Sequence, residues 1–443
     1  MPLRNLIVIL CVALASLACY RATEHDEALR MFQRTLGEIS QNYVEKTDEN
    51  KLVEAAIRGM VRELDENSDF QSPERAQELQ SNLQHQFGGI GIQIDIDPTS
   101  HRLKVVSPMP GTPAFEAGLL ADDRILAIND EDTLKFNIDD AKSRIRGEAG
   151  TPVKLSIERP GHSGLLSFQI PRAIIKTQSV FGDTRNPNGT WNFFLADHPE
   201  IGYIRISDFG ERTVEEVRAA LVELEKQGPI KSLLLDLRGN PGGLLDAAVQ
   251  LCDLFVRDGT IVSLRGREGT TARIYSADGK APYVRFPMAV LVNRLSASAS
   301  EIVAACLQDH GRAVVAGERS YGKGTVQNVI ALEGDHSLKL TTAHYFRPSG
   351  KNIHRKDAKN ENDWGVQPNP GLEVKTSEDV IMKLMVARNQ RDLRRGPAES
   401  AASPDAEPAT DASLPLVDEA LNKAVDHLDQ ALEQKKPVSK NAA

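Results

Sequence analysis

Apolar positions change their period several times along this chain, and each change marks an element. Residues 6–18, LIVILCVALASLA, are an almost unbroken apolar run. From about residue 26 to 86 the spacing becomes helical, as in LVEAAIRGMVREL, where Leu52, Ala56, Met60 and Leu64 form one stripe. Two or three helices are predicted there. At FGGIGIQIDID the period drops to two, because Ile90, Ile92, Ile94 and Ile96 alternate strictly after paired glycines, and a strand opening a new domain over 87–172 follows.

From 173 to 375, short apolar runs (GYIRI, SLLLDLRG, MAVLVN, RAVVAGE) interleave with helical patterns (VEEVRAALVELEKQ, LLDAAVQLCDLFV, EIVAACLQD). The alternation predicts an α/β core whose mixed sheet, parallel in part, is covered by helices, with chemistry in the loops between its strands. A helical extension is expected over 376–395. Residues 396–414, GPAESAASPDAEPATDAS and one more, read as a disordered linker by composition. The stretch LVDEALNKAVDHLDQALEQ predicts one terminal helix over 415–435.

Composition changes this picture little: 443 residues, 40% apolar and 26% charged, suit a globular protein of two or three domains. A net charge of −9 without a long Lys/Arg run gives no footprint for nucleic acid. The leader does change it. Arg4, the apolar run and the small residues Ser16 and Ala18 read as an export signal over residues 1–19, cleaved near Ala18 or retained as an anchor. Thirteen residues fall short of the roughly 20 a spanning helix needs. Cys19 suggests lipidation, against which Ser16 stands where bacterial lipoprotein signals usually carry leucine. The expected location is periplasmic or cell-envelope. Cys252 and Cys306 lie in apolar helical segments and read as buried small hydrophobes.

Three chemistries can be weighed. GERSYGKG has the glycines and lysine of a phosphate loop, but position 324 is Gly where Ser or Thr would hold magnesium, and TVQNVIAL after it reads as a strand. No G-x-S-x-G turn supports a Ser-His-acid hydrolase, and only His310, His336 and His344 lie near the candidate loops. No H-E-x-x-H or paired C-x-x-C motif suggests a metal. A serine with a lysine base remains: SASASE and SYGKGTVQ lie between core elements, 25 residues apart from Ser298 to Lys323. That lysine needs desolvation to lose its proton, because its ordinary pKa is about 10.4. Ser298 with Glu301 also fits a helix capping box, so residue types alone leave a structural role and a nucleophile both open.

DLRGNPGGLLDAAV, VNRLSASASEIVAACLQDHGRAVVAGERSYGKGTVQ and TTAHYFRPSGKNIH, with LVEAAIRGMVRELDENS ahead of them, resemble the carboxyl-terminal processing peptidases over about residues 28–375. These are serine endopeptidases with a Ser-Lys dyad and an inserted PDZ domain. The resemblance implies Ser298 as nucleophile, Lys323 as base and Gln327 as the residue orienting that lysine. It implies an oxyanion hole of Ala299 with Gly242 or Gly243, and structural roles for Ser296 and Ser300. Asp309 matches a family position near the site. Asn369 stands where the family generally has aspartate, and Ala121-Asp122 where it has Pro-Gly. Gly88, Gly89, Ile90, Gly91 and Ile92 match the PDZ loop that receives a peptide carboxylate on backbone N–H groups. The implied activity is endoproteolysis at or near protein carboxyl termini, with no metal or other cofactor. Protein or peptide substrates are the expected partners. An adaptor protein, a second copy of the chain and a membrane reached through the N-terminal segment stay open as others. The alternative is a catalytically silent PDZ scaffold, against which the joint presence of serine, lysine and glutamine argues.

Overall fold

The computed structural model describes residues 3–186, 189–358, 360, 363–392 and 417–435. The linker read at 396–414, the end of the extension read at 376–395 and the first two residues of the helix read at 415–435 lie outside the described residues. The chain forms two compact units, residues 1–73 with 327–341 and residues 74–326 with 342–443.

In the first unit one helix, Leu3–Asn42, takes in the apolar run at 6–18 and the residues after it. Asp48 caps the next helix, Glu49–Arg62, by accepting the N–H groups of Asn50 and Lys51. That helix buries Val61, while Met60 and Leu64 of the predicted stripe stay exposed. Its buried edge therefore lies one residue round from the stripe. Strand Asp69–Gln71 pairs antiparallel with Ser337–Lys339. No helix among the described residues is long and apolar enough to cross a membrane.

The second unit carries the site. Its centre is a five-stranded sheet in the order Val180–Phe181, Ile201–Ile206, Ser232–Asp236, Met288–Val292, Val314–Gly317. The first pair is antiparallel and the other three are parallel. Both faces are covered, which is why MAVLV is buried throughout. Leu233, Leu235, Val290 and Val292 face a cluster with helices Thr213–Glu225, Leu245–Asp253 and Ala299–Asp309. Their neighbours Leu234, Ala289 and Leu291 face the opposite way, onto Ala420, Ala424, Val425 and Leu428 of the terminal helix Glu419–Lys435. Cys252 and Cys306 are fully buried in the first cluster.

A second sheet pairs Thr260–Arg265 with Thr271–Ser276 and with the end of strand Ser337–Phe346, where Leu264 opposes Tyr345. Residues 92–171 form a separate sheet around Ile90, Leu103, Val105, Ile125, Leu155 and Ile157. It joins the core through one antiparallel ribbon, Gln86–Gly89 against Ala173–Lys176. In its turn Asp122 has φ +65°, the left-handed backbone that aspartate tolerates, so it serves where glycine is usual.

Candidate active site

Three consecutive parallel strands release the three candidate loops at their carboxyl ends. Asp236 leads into RGNPGG, Val292 into NRLSASAS and Gly317 into ERSYGKG. In the middle loop Ser298 caps helix Ala299–Asp309 with φ +55° and ψ −115°, a conformation that costs a non-glycine residue about 1–3 kcal/mol. Its surroundings hold it there. The Ser298 N–H donates to Glu301 Oε2 at 2.8 Å, and its carbonyl accepts the N–H groups of Glu301 and Ile302. A sharp strand-to-helix turn of this kind lifts a nucleophilic oxygen clear of the backbone.

The alternation in SASAS now has a physical reason. Ser296 Oγ donates to Leu237 O at 2.8 Å and accepts the Asn293 N–H, while Ser300 Oγ donates to Asn240 O at 3.0 Å. Both outer serines are buried stitches between the Ser298 turn and the strand end and turn at residues 237–243. The alanines admit Gly242, where a Cβ would stand 2.8 Å from Ala297 O, 2.8 Å from Ser298 Cβ and 3.0 Å from Ala299 N. Phe209 fixes the same turn from the other side, its N–H donating to Gly242 O and its carbonyl accepting the Leu244 N–H. A Cβ on Gly243 would meet Phe209 O at 2.0 Å. The Gly242 N–H donates to Asn240 Oδ1 at 2.8 Å, so Gly242 contributes close approach, and its amide is already used. Among the described residues nothing accepts from the N–H groups of Gly243 and Ala299.

The lysine loop is tied to the Ser298 turn by one buried carboxylate. Glu301 Oε2, which holds the Ser298 N–H, also accepts the Lys323 N–H at 2.9 Å, and Oε1 accepts the Gly322 N–H at 2.7 Å and the Ser320 hydroxyl. Burial pushes the Glu301 carboxyl up to about 6, against the pull of these four donors toward the ionised form. Gly322 and Gly324 let the loop lie flat. A Cβ at 322 would come 2.7 Å from the Trp364 ring, itself flanked by the Arg319 and Arg355 guanidiniums, and one at 324 would come 2.3 Å from His354 N. Sequence reading took Glu301 for a capping residue and assigned Tyr345 nothing. The Tyr345 hydroxyl lies beside the Ser298 side chain, and burial pushes its pKa up to about 12.

Gln327 lies in the first unit on strand Thr325–Ala331, its amide donating to Thr341 Oγ1 at 3.2 Å. Asp309, at the far end of helix Ala299–Asp309, takes a two-pronged contact from Arg347 and the Ser349 N–H, which hold its carboxyl low. Asn369 Oδ1 accepts from Gln308 and the Val315 N–H, so a carbonyl oxygen serves where a carboxylate is usual. The three histidines are occupied elsewhere: His310 with Thr260 O, His336 stacked on Phe70, and His344 beside Asp357.

In the smaller domain, Gly88 and Gly89 are taken up in the ribbon, opposite Ile174 and Ala173. The candidate carboxylate turn is therefore narrower than GGIGI. The carbonyl of Ile90 accepts the Ala114 N–H, and that of Gly91 accepts the Met109 N–H and the Thr112 hydroxyl. Among the described residues nothing accepts from the Ile90 and Gly91 N–H groups. Gly91 has φ +77°, and a Cβ there would lie 2.4 Å from Thr112. Strand Ile92–Ile96, which continues the turn, pairs among the described residues only with Leu103–Pro108 and is an edge of its sheet.

This architecture is that of a serine-type peptidase with a PDZ domain inserted ahead of its core. Residues 200–370 match peptidase family S41, residues 104–159 match the PDZ domain, and residues 16–68 match the activating protease CtpB N-terminal domain. A carboxy-terminal-processing protease of Bartonella bacilliformis is 39% identical over 71% of this chain and 70% of its own. Carboxy-terminal processing protease CtpB of Bacillus subtilis is 36% identical over 75% and 67%, and a carboxyl-terminal-processing protease of Synechocystis 38% over 68% and 68%. The chain belongs to peptidase family S41, among its PDZ-containing carboxy-terminal processing proteases.

Proposed function

We propose that the protein cleaves polypeptides at or near their carboxyl termini with Ser298 as nucleophile and Lys323 as general base. The observation that carries this reading is the Glu301 carboxylate, one oxygen of which holds the backbones of both residues. In the first step Ser298 Oγ attacks the scissile carbonyl carbon while the uncharged Lys323 amine removes its proton. The oxyanion that forms is met by the N–H groups of Ala299 and Gly243, the first of them at a helix N-terminus that favours negative charge. The lysine ammonium then returns the proton to the leaving amine as the C–N bond breaks. Water hydrolyses the resulting ester by the same exchange. Gln327 orients the lysine in this reading.

The PDZ domain receives the substrate's carboxyl end on the Ile90 and Gly91 amides and lays the peptide along strand Ile92–Ile96, a mode that unused N–H groups and an open sheet edge support. The leader supports export to the cell envelope. The test is cleavage of an unfolded protein by wild type, Ser298→Ala and Lys323→Arg. Ser298→Ala should be inactive. Lys323→Arg keeps the charge but its guanidinium does not give up its proton, so it should fold, bind peptide and fail to cleave. Substantial cleavage by either variant refutes its assignment, and a wild type that binds carboxyl termini without cutting would favour a scaffold.

A further inference from the structure

Arg238, the first residue of the RGNPGG turn, sits in a buried set of four charges whose members come from distant parts of the chain. Asp236, fully buried at the end of its strand, accepts from Arg238 Nε and Nη2, from Arg388 Nη2 at 2.6 Å and from the Tyr203 hydroxyl at 2.9 Å. The other face of Arg238 points to the terminal helix. Its Nη1 donates to both oxygens of Asp418, at 2.6 and 2.9 Å. Side-chain exposure is 6% for Arg238, 10% for Arg388 and 15% for Asp418, so water does little for any of them. Two carboxylates balance two guanidiniums.

From Arg238 the connection to the site is short. The Gly239 N–H donates to Asn293 Oδ1, the Asn240 carbonyl accepts the Ala297 N–H and the Ser300 hydroxyl, and Asn240 Oδ1 holds the Gly242 N–H. The same residues that fix the turn flank the nucleophile. Asp418 is itself anchored, because one of its oxygens accepts the Leu421 N–H while Ala420, Ala424, Val425 and Leu428 bury the helix on the sheet.

We propose that Asp418 is a positioning residue for the oxyanion-binding turn, acting through the buried Arg238 to hold residues 239–243 in register with Ser298. The proposal rests on the assignment of Ser298 as nucleophile. With Asp418 neutralised, two buried guanidiniums share one carboxylate. Arg238 then gains by moving toward water, and the turn beginning with it moves as well. Displacement of about 1 Å is enough to slow an oriented reaction severely.

The test compares wild type, Asp418→Asn, Arg238→Met, their double variant, Asp426→Asn and Ser298→Ala on one peptide. Intact sites are first counted by complete reaction with an organophosphonate. Asn keeps the shape of Asp418, and Asp426 is an exposed carboxylate on the same helix. Asp418→Asn should lower kcat per titrated site about tenfold or more, with KM within about twofold, while Asp426→Asn matches wild type. In the double variant the losses should overlap, since both substitutions break one link. An unchanged kcat per titrated site, a loss wholly explained by fewer titrated sites, or losses that multiply independently would each overturn the proposal. A Ser298→Ala protein that still cleaves would remove the nucleophile assignment and this inference with it.

Discussion

Replacing Glu301 by glutamine keeps the side chain's shape and reverses half of its hydrogen-bonding character. Each carboxylate oxygen accepts two donors, Ser298 N–H with Lys323 N–H on one and Gly322 N–H with the Ser320 hydroxyl on the other. A glutamine must aim its NH₂ at one of these pairs. The cheaper choice is Oε1, since the Ser320 hydroxyl can turn, but the buried Gly322 N–H then faces another donor, at a cost of about 1–3 kcal/mol. Relief comes by moving the lysine loop. We expect kcat to fall about 10- to 100-fold with KM within about twofold, because displacement of about 1 Å has effects of that size.

The pH dependence separates this from mere loss of stability. The carboxyl, with an ordinary value of 4.5, is raised by burial to about 6, so the folded protein binds this proton more tightly than the unfolded chain does. The group's contribution to stability is therefore full below pH 4.5 and is lost as pH rises to 6, about 2 kcal/mol in all. Activity runs the other way, since four donors require the ionised form. On acidification below about 6, wild type should gain stability from this group and lose rate more steeply than Lys323 protonation alone dictates. Glu301→Gln should show neither change. Thermal melts and kcat/KM profiles from pH 4.5 to 9 measure both, and a variant with wild-type kcat or with the same acid steepening would refute the clamp.

Gly242→Ala should fold yet lose at least about 10²-fold in kcat, since its methyl would lie 2.8 Å from Ser298 Cβ at a φ of +103°; near-normal turnover would contradict the close approach. Tyr345→Phe removes a hydroxyl that lies beside the Ser298 side chain and can compete for it, so kcat/KM should rise about two- to tenfold, and a large loss would instead make the phenol a required partner. Amidating the carboxyl end of a test peptide should weaken PDZ binding by about 1.5–3 kcal/mol in calorimetry. Equal affinity for acid and amide would remove the carboxylate from recognition.

What was legible in the sequence was whatever repeats locally or sits in a short motif. The apolar run MAVLVN, the strand at TVQNVIAL that argues against a phosphate loop and the SASAS helix start all form the elements their patterns predict. Partner choice over long separations was not legible. Glu301 looks like a capping residue because its bond to Ser298 is local, while its other three donors come from residues 320 to 323, brought back by a helix and a strand. The left-handed backbone at Ser298 has no signature, since serine neither requires nor favours it. Gly242 and Gly243 are neighbours of one type, and only the Asn240 side chain distinguishes their amides. Arg238 and Asp418 are 180 residues apart, and no periodicity relates them.

The ribbon of Gln86–Gly89 and Ala173–Lys176 has a consequence for how such proteases can be rebuilt. Gly89 lies opposite Ala173, so everything from Ile90 to Arg172 is hung on two chain ends one strand spacing apart, about 5 Å. That is the gap a two-residue Asn-Gly turn closes in an ordinary hairpin. The PDZ domain can thus be excised as a cassette and the cut healed by a turn, or another domain spliced in, without re-threading a strand of the peptidase sheet. The PDZ domain and the peptidase core are separable parts in this chain, joined at that ribbon.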